Sequence, residues 1–333
     1  MLTESLVAVS ADPRVELLVA QSPGPAGRAL LVIHGGPDWD HTYLRDPLSE
    51  LAGQHRLVLP DLRGCGGSTR SLPSGCYTPD AAVADLLTVL DRLGLADVDL
   101  LGFSYGGLLA QRLAVTAPSR VRRLIIASSS IGPVPEGAFA GWAERDRRVA
   151  AEAAVWSGSG LTGPALARAA AVAGAPANVW RAEKLPGYLD RLSAVNFSGD
   201  WLRPWRAGTL PPAHVPAAAQ RLSLLGVPVL LLHGEHDMTT PAALITRAAA
   251  RIPGATAVIL GDAITAGQRG QGFAAEAAGA LLAWAEQRHP GVYASIRPPN
   301  PASERVLRKI GMRLTASYTD EDGVRNVYRR RPG

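Results

Sequence analysis

The sequence predicts an α/β fold: a mostly parallel sheet covered by helices, interrupted by a helical insertion and followed by a smaller α/β segment. Three observations carry this. Up to residue 127, short apolar runs closed by Gly or Pro alternate with stretches of helical periodicity. Such runs lack the in–out alternation of a half-exposed strand, which marks strands buried on both faces. From about Ile131 to Gln220 this rhythm stops, and Ala-, Pro- and Gly-rich helical sequence takes over, with Trp142, Trp156, Trp180, Trp201 and Trp205. Strand-like sequence then returns at Val227.

In chain order, residues 28–34 form an apolar run that ends in Gly35-Gly36-Pro37, a strand entering a turn. Leu57–Pro60 is the next strand, closed by Asp61-Leu62-Arg63-Gly64-Cys65-Gly66-Gly67-Ser68. Between Thr78 and Leu93, the residues Ala82, Leu86, Leu87, Leu90 and Leu93 share one helical face. Val98–Gly102 is a strand, Gly106–Ala117 a helix and Val121–Ala127 a strand. After the insertion, strands are predicted at Val227–Leu232 and Thr256–Leu260. A long Ala-rich helix follows at Gly272–Arg288, then a strand at Val292–Ile296. Asn300-Pro301-Ala302-Ser303 caps a helix reaching Ile310, with Gly311 at its C′ position, and 313–330 reads as a hairpin turning at Asp320–Gly323. The domain boundaries implied are 1–130 with 221–262 for the sheet core, 131–220 for the cap and 263–333 for the last segment.

Composition bounds the function. No apolar run approaches the roughly 18 residues of a membrane span, and Met1-Leu2-Thr3-Glu4 does not begin a basic-then-apolar signal peptide, so a cytoplasmic protein with no membrane partner is expected. Cys65 and Cys76 lack metal-ligand spacing, and no metal site is expected. From residue 262 onward there are 11 Lys+Arg against 7 Asp+Glu, and the chain ends in a basic tail at Arg329-Arg330-Arg331. No stacking aromatics accompany it, so no nucleic-acid partner is expected. The oligomeric state is not set by the sequence.

The sharpest motif is Gly102-Phe103-Ser104-Tyr105-Gly106, set between a predicted strand and a predicted helix. A sharp turn there lifts a serine hydroxyl clear of the backbone, and only small flanking residues fit. Gly35 and Gly36 follow an earlier strand, where backbone N–H groups can face a developing oxyanion, with the N–H of Tyr105 as a second donor. Asp237 follows another strand in His233-Gly234-Glu235-His236-Asp237, where a histidine-orienting acid is placed. With His34-Gly35-Gly36-Pro37, Asp61–Ser68 and His233–Pro241, residues 1–262 resemble the α/β-hydrolase family, and within it the proline iminopeptidase-like group. The resemblance implies a Ser-Asp-His triad with Ser104 as nucleophile and Asp237 as acid. It also implies an oxyanion hole at Gly36 and Tyr105, a helical cap that selects a small-molecule or short-peptide substrate, and no cofactor. One departure is Asp38, where those peptidases carry another glycine; its carboxylate is placed either to narrow the oxyanion turn or to contact a substrate amine.

The base is missing from this pattern. The family's last sheet strand leads into a loop ending in Gly-His, whereas here Ala257–Leu260 leads into Gly261-Asp262-Ala263-Ile264-Thr265. Thr265 stands at the histidine position, and a threonine hydroxyl cannot accept and return a proton near neutral pH. Of the seven histidines (His34, His41, His55, His214, His233, His236 and His289), only His289 follows the last hydrolase strand. A helix of about 17 residues, roughly 26 Å, separates it from the loop. His214, in the cap, is the alternative left open.

Where the histidine is due, Arg269-Gly270-Gln271-Gly272-Phe273-Ala274 begins instead. Glycines let a backbone approach closely, and N–H groups at a helix start hold a pyrophosphate. With Asn300 and Lys309-Ile310-Gly311-Met312 at matching spacing, residues 265–333 resemble the C-terminal half of GCN5-related N-acetyltransferases, particularly the ribosomal-protein-acetylating branch. This implies a site for acetyl-coenzyme A at residues 269–274 and Asn300. The family's first half is absent, so the module is partial. Three outcomes stay open at this level: a serine hydrolase with an incomplete triad, an acetyl-coenzyme A-dependent transferase, or a fusion that turns nothing over.

Overall fold

The computed structural model describes residues 2–52, 54–261, 293–296, 298, 301–320 and 323–330. It divides into two units, Met1–Ile259 and Leu260–Gly333. The long helix expected at 272–288, together with Thr265, His289, the loop 269–274 and Asn300, lies outside the described residues.

The first unit opens with a hairpin that the apolar runs do not announce: β1 (Thr3–Ala11) and β2 (Arg14–Gln21), antiparallel. β3 (Ala29–Ile33) is buried at all five positions, as a strand covered on both faces must be. It is followed by the short helix α1 (Arg45–Leu48), β4 (Arg56–Pro60), α2 (Pro79–Arg92), β5 (Val98–Phe103), α3 (Tyr105–Thr116) and β6 (Val121–Ala127). The insertion is helical as expected: α4 (Ala143–Gly158), α5 (Gly163–Asn178), α6 (Leu185–Ser193), α7 (Leu202–Arg206) and α8 (Ala218–Ser223). β7 (Val229–Gly234), α9 (Ala242–Ala249) and β8 (Thr256–Leu260) complete the series. Strand order is β1-β2-β4-β3-β5-β6-β7-β8. β4, β3, β5, β6 and β7 run parallel, while β2 joins β4 antiparallel.

Local signals set the boundaries. Thr78 caps α2 by accepting the Ala81 N–H, and Pro79 occupies the first helical position, where its missing N–H costs nothing. At the other end Gly94 takes φ +66, and the Leu95 N–H closes on the Leu90 carbonyl. The inner face of α2, with Ala82, Val83, Leu86, Val89 and Leu90, is buried in the main core with Leu31, Ile33 and Leu100 of the sheet.

One buried ion pair fastens α2 to the loop after β4. Arg63 meets Asp85 through two hydrogen bonds, Nε to Oδ2 at 2.7 Å and Nη2 to Oδ1 at 2.6 Å, with both side chains under a tenth exposed. Removing one partner of such a pair strands the other charge away from water. Asp85→Ala is therefore expected to lower stability by about 3–5 kcal/mol, read from the midpoint of a denaturant titration. A loss below 1 kcal/mol would show that water reaches Arg63.

In the second unit, the described residues include β9 (Tyr293–Ile296), β10 (Arg313–Asp320) and β11 (Gly323–Arg329), an antiparallel sheet in the order β10-β11-β9, and the helix α10 (Pro301–Lys309). Gly311, φ +85, ends α10: its N–H bonds the Arg308 carbonyl and the Met312 N–H bonds the Leu307 carbonyl. This paired closure is the reason a glycine stands at C′. Leu307, Met312 and Tyr328 make the small core.

Candidate active site

Ser104 sits between β5 and α3 with φ 52° and ψ −119°, a conformation that L-residues avoid. Two backbone bonds hold it there: the Ser104 N–H to the Ala127 carbonyl at 2.9 Å, and the Gly107 N–H to the Ser104 carbonyl at 2.8 Å. The flanking glycines answer to space. A methyl on Gly102 would lie 2.3 Å from the Gly106 carbonyl oxygen, and one on Gly106 would lie 2.2 Å from that of Ile33. The helix start is thus pressed onto β3, which brings the turn after β3 alongside the serine. A methyl on Gly35 would touch Ser104 Cβ at 3.1 Å and Tyr43 Oη at 3.0 Å.

Within that turn the Gly35 N–H donates to Tyr43 Oη at 2.8 Å. The Leu62 N–H donates to His34 Nε2 at 3.1 Å, which leaves Nδ1–H to donate to the Gly35 carbonyl at 2.7 Å. Burial pushes the His34 pKa down, so the ring stays neutral and keeps this tautomer. Gly36 follows at φ +116, a value suited to glycine, with the Trp39 ring within 3.2 Å of where a side chain would begin.

Asp38 does not face a substrate. Its carboxylate is 1% exposed and accepts from Ser198 Oγ at 2.6 Å and from the N–H groups of Trp201 and Leu202, both at 3.0 Å. The expectation that it contacts a substrate amine is corrected on that ground: its lone pairs are taken by the cap. Burial raises its pKa despite these donors.

Asp237 lies three residues beyond β7, at the same carboxyl edge of the sheet as Ser104. Its Oδ1 is saturated by the Thr239 N–H, Thr239 Oγ1 and the Thr240 N–H at 2.6–2.8 Å. Oδ2 lies 3.6 Å from His233 Nε2, which instead meets the Thr240 carbonyl at 2.7 Å.

The six described histidines are turned elsewhere. His34 holds the Gly35 turn, and His41 pairs with Asp61 at 2.6 Å. His55 precedes β4, at the amino edge of the parallel strands. His233 is buried under the Asp237 loop, and His236 stacks on Trp180 with ring centroids 4.0 Å apart. His214, the open alternative, meets Ser130 Oγ at 2.9 Å, and burial lowers its pKa. Among the described residues no hydrogen bond joins an imidazole to Ser104. No cluster there could hold a metal ion, and no helix is long and apolar enough to cross a membrane.

The sequence reading missed Tyr43 and the donors from Ser198, Trp201 and Leu202. Tyr43 carries no motif signal, and the cap donors, one hydroxyl and two backbone N–H groups, lie some 160 residues away from Asp38.

Comparison with known proteins agrees with the geometry. The alpha/beta hydrolase fold profile matches residues 28–263, and an acetyltransferase (GNAT) domain profile matches residues 245–313. Both therefore claim residues 245–263, the later part of α9 and all of β8. The chain is 40% identical over 123 residues to 2-hydroxymuconate semialdehyde hydrolase of Pseudomonas sp. (strain CF600), a match covering 35% of this chain and 42% of that protein. It thus spans less than half the length of that relative. Among solved structures, a hydrolase from Pseudomonas aeruginosa PA01 is similar at TM-score 0.58 and 27% identity, over 85% of this chain and 98% of that one. Proline iminopeptidase from Mycobacterium smegmatis shares the fold at TM-score 0.57 and 22% identity, over 86% of this chain and all of that one. The strained serine turn, the glycine turn beside it and the profile match converge: the chain belongs to the alpha/beta hydrolase fold family, with a GNAT acetyltransferase match at its C-terminal end.

Proposed function

We propose that this protein is a serine hydrolase of small neutral esters or amides whose nucleophile, Ser104, has lost its imidazole partner. The observation that carries this is the Ser104 backbone at φ 52°, held against Gly35 by glycines that no larger residue can replace. Strain of this kind persists only where the surroundings over-determine it. In the reaction the Ser104 oxygen attacks the substrate carbonyl carbon, and the N–H groups of Gly36 and Tyr105 receive the oxyanion. The leaving group then departs, and water releases the acyl group from the serine. The Gly35 N–H is spent on Tyr43, so Gly36 supplies the donor of that turn. Asp237 Oδ2 is the oxygen that would orient an imidazole. None of the described imidazoles reaches Ser104, so on this reading its proton passes to hydroxide, and the oxyanion hole with substrate binding supplies about 10³–10⁴-fold over water.

A proline iminopeptidase-like specificity is the narrower reading, supported by His34–Pro37 and the Mycobacterium smegmatis likeness. The occupied Asp38 carboxylate turns us toward neutral substrates instead. Acetyl transfer is favoured by the GNAT match alone. The residues that would hold acetyl-coenzyme A, Arg269–Ala274 and Asn300, lie outside the described residues, and the hydrolysis proposed here takes no step through it.

Long incubation with a fluorophosphonate followed by peptide mass mapping tests the nucleophile. A single adduct on Ser104 is expected. An adduct on Ser130, which carries a serine–histidine hydrogen bond to His214, or no adduct at all would overturn the assignment.

A further inference from the structure

The insertion between β6 and β7 is not uniform in how it is attached. Residues 195–203 are bound to the sheet core by a dense set of hydrogen bonds, those to Asp38 Oδ1 and the Arg63 carbonyl fully buried. The Asn196 N–H donates to Asp40 Oδ2 at 2.8 Å, and its side-chain amide donates to the Gly66 carbonyl at 3.1 Å. Arg70 donates to the carbonyls of Asn196 and Phe197 at 2.8 and 3.2 Å. Asp38 takes three donors through its carboxylate, and its carbonyl accepts the Ser198 N–H at 2.9 Å. Trp201, fully buried, donates Nε1–H to the Arg63 carbonyl at 2.7 Å.

Both ends of this strap arrive at a proposed oxyanion donor. Phe197 packs edge-on against Trp39 at 5.6 Å, and Trp39 covers Gly36. Asp38, two residues after Gly36, holds a left-handed φ of 71° while its carboxylate is gripped by the strap. At the other end Trp201 packs edge-on against Tyr105 at 6.0 Å. The Gly36 turn and Tyr105 belong to different loops, and residues 197–202 touch the surroundings of both.

We infer that residues 195–203 are a fixed part of the catalytic machinery, and that Asp38 is the positioning residue through which they set the Gly36 and Tyr105 donors for the oxyanion. This rests on the serine-hydrolase reading above. An oxyanion hole accelerates reaction only if its dipoles are already aimed when charge develops. A carboxylate accepting two backbone N–H groups and a hydroxyl is a stiff clamp for that purpose, because each lost bond leaves a buried polar group unpaired. The device departs from a glycine at this position, where no side chain can reach the strap.

The test compares the unsubstituted protein with Ser198→Ala and Asp38→Asn by two readouts. Ser198→Ala removes one donor, and Asp38→Asn keeps the shape while placing an amide against N–H groups. Amide hydrogen exchange is followed in the segments 195–203, 34–39 and 103–107, with α2 as an internal reference. Hydrolysis of p-nitrophenyl acetate is measured in parallel, resolved into kcat and KM. In Asp38→Asn we expect faster exchange in all three segments and a kcat lower by about 10–100-fold, since loss of a whole oxyanion donor costs about 10²–10³. KM should stay within about threefold, and Ser198→Ala should move the same way by less. A purely structural role would loosen 195–203 alone and leave kcat unchanged. That outcome, or a strap that stays protected in Asp38→Asn, overturns the inference. If the unsubstituted protein shows no hydrolysis above background, the hydrolase reading fails, and exchange at 34–39 and 103–107 still decides the coupling.

Discussion

Thr265→His is expected to raise ester hydrolysis by at least about 100-fold and to make the gained rate dependent on Ser104. Triad members act as a unit: in an intact triad, losing the serine or the histidine alone costs about as much as losing all three. On the proposed reading the unit is already broken in the unsubstituted protein, so Ser104→Ala should change the residual rate by less than about tenfold. In the Thr265→His background the same change should erase the gain. This non-additivity is the signature of a restored base rather than of a general improvement. Steady-state rates of the four proteins complete the cycle. Equal effects of Ser104→Ala in both backgrounds would show that residue 265 is not where the base belongs, and Asp237→Asn in the restored protein would show whether that acid orients it.

Gly106→Val should prevent folding or lower stability by about 3 kcal/mol or more, beyond the usual 1–3 kcal/mol of an overpacked core. The first side-chain carbon would lie 2.2 Å from the Ile33 carbonyl oxygen and 2.5 Å from that of His34, both backbone atoms of a central strand and its turn. Backbone in the middle of a sheet cannot step aside as a side-chain tip can. Gly94→Ala serves as the comparison: its φ of +66° makes it costly, but it has open space around it. A loss of about 1 kcal/mol is expected there. Thermal or denaturant unfolding of the two variants ranks them. Comparable losses would mean that α3 is not pressed onto β3.

The parallel sheet was legible because its strands are short, apolar and punctuated. Ala29–Ile33, Val121–Ala127 and Thr256–Leu260 lie where their runs place them. Ser104 was legible for a steric reason, since a strained turn admits few residues and therefore writes itself as Gly-x-Ser-x-Gly. The hairpin of β1 and β2 was less so. Only the in–out alternation of Val15, Leu17 and Val19, all fully buried, marks it, and β1 presents mostly exposed residues. Asp38 shows what a linear reading cannot supply. A carboxylate after a glycine turn looks available to a ligand until Ser198, Trp201 and Leu202 are seen to fill it. Those partners are mostly backbone N–H groups, which every residue but proline has, so no pattern advertises them. The helical character of the cap could be read from its composition. Its division into outer helices and a strap bound to the core could not.

The pH dependence of hydrolysis tests the proposed lack of a base most directly. With p-nitrophenyl acetate and the unsubstituted protein, kcat/KM is followed from about pH 5 to 9, a range that spans the ordinary histidine pKa of about 6.5. If hydroxide is the only acceptor for the proton, the logarithm of the rate rises with unit slope and shows no inflection in that window. An inflection near or below pH 6.5 would contradict this. Were it to vanish in His214→Gln, that half-buried ring, whose pKa burial lowers, would be identified as the base.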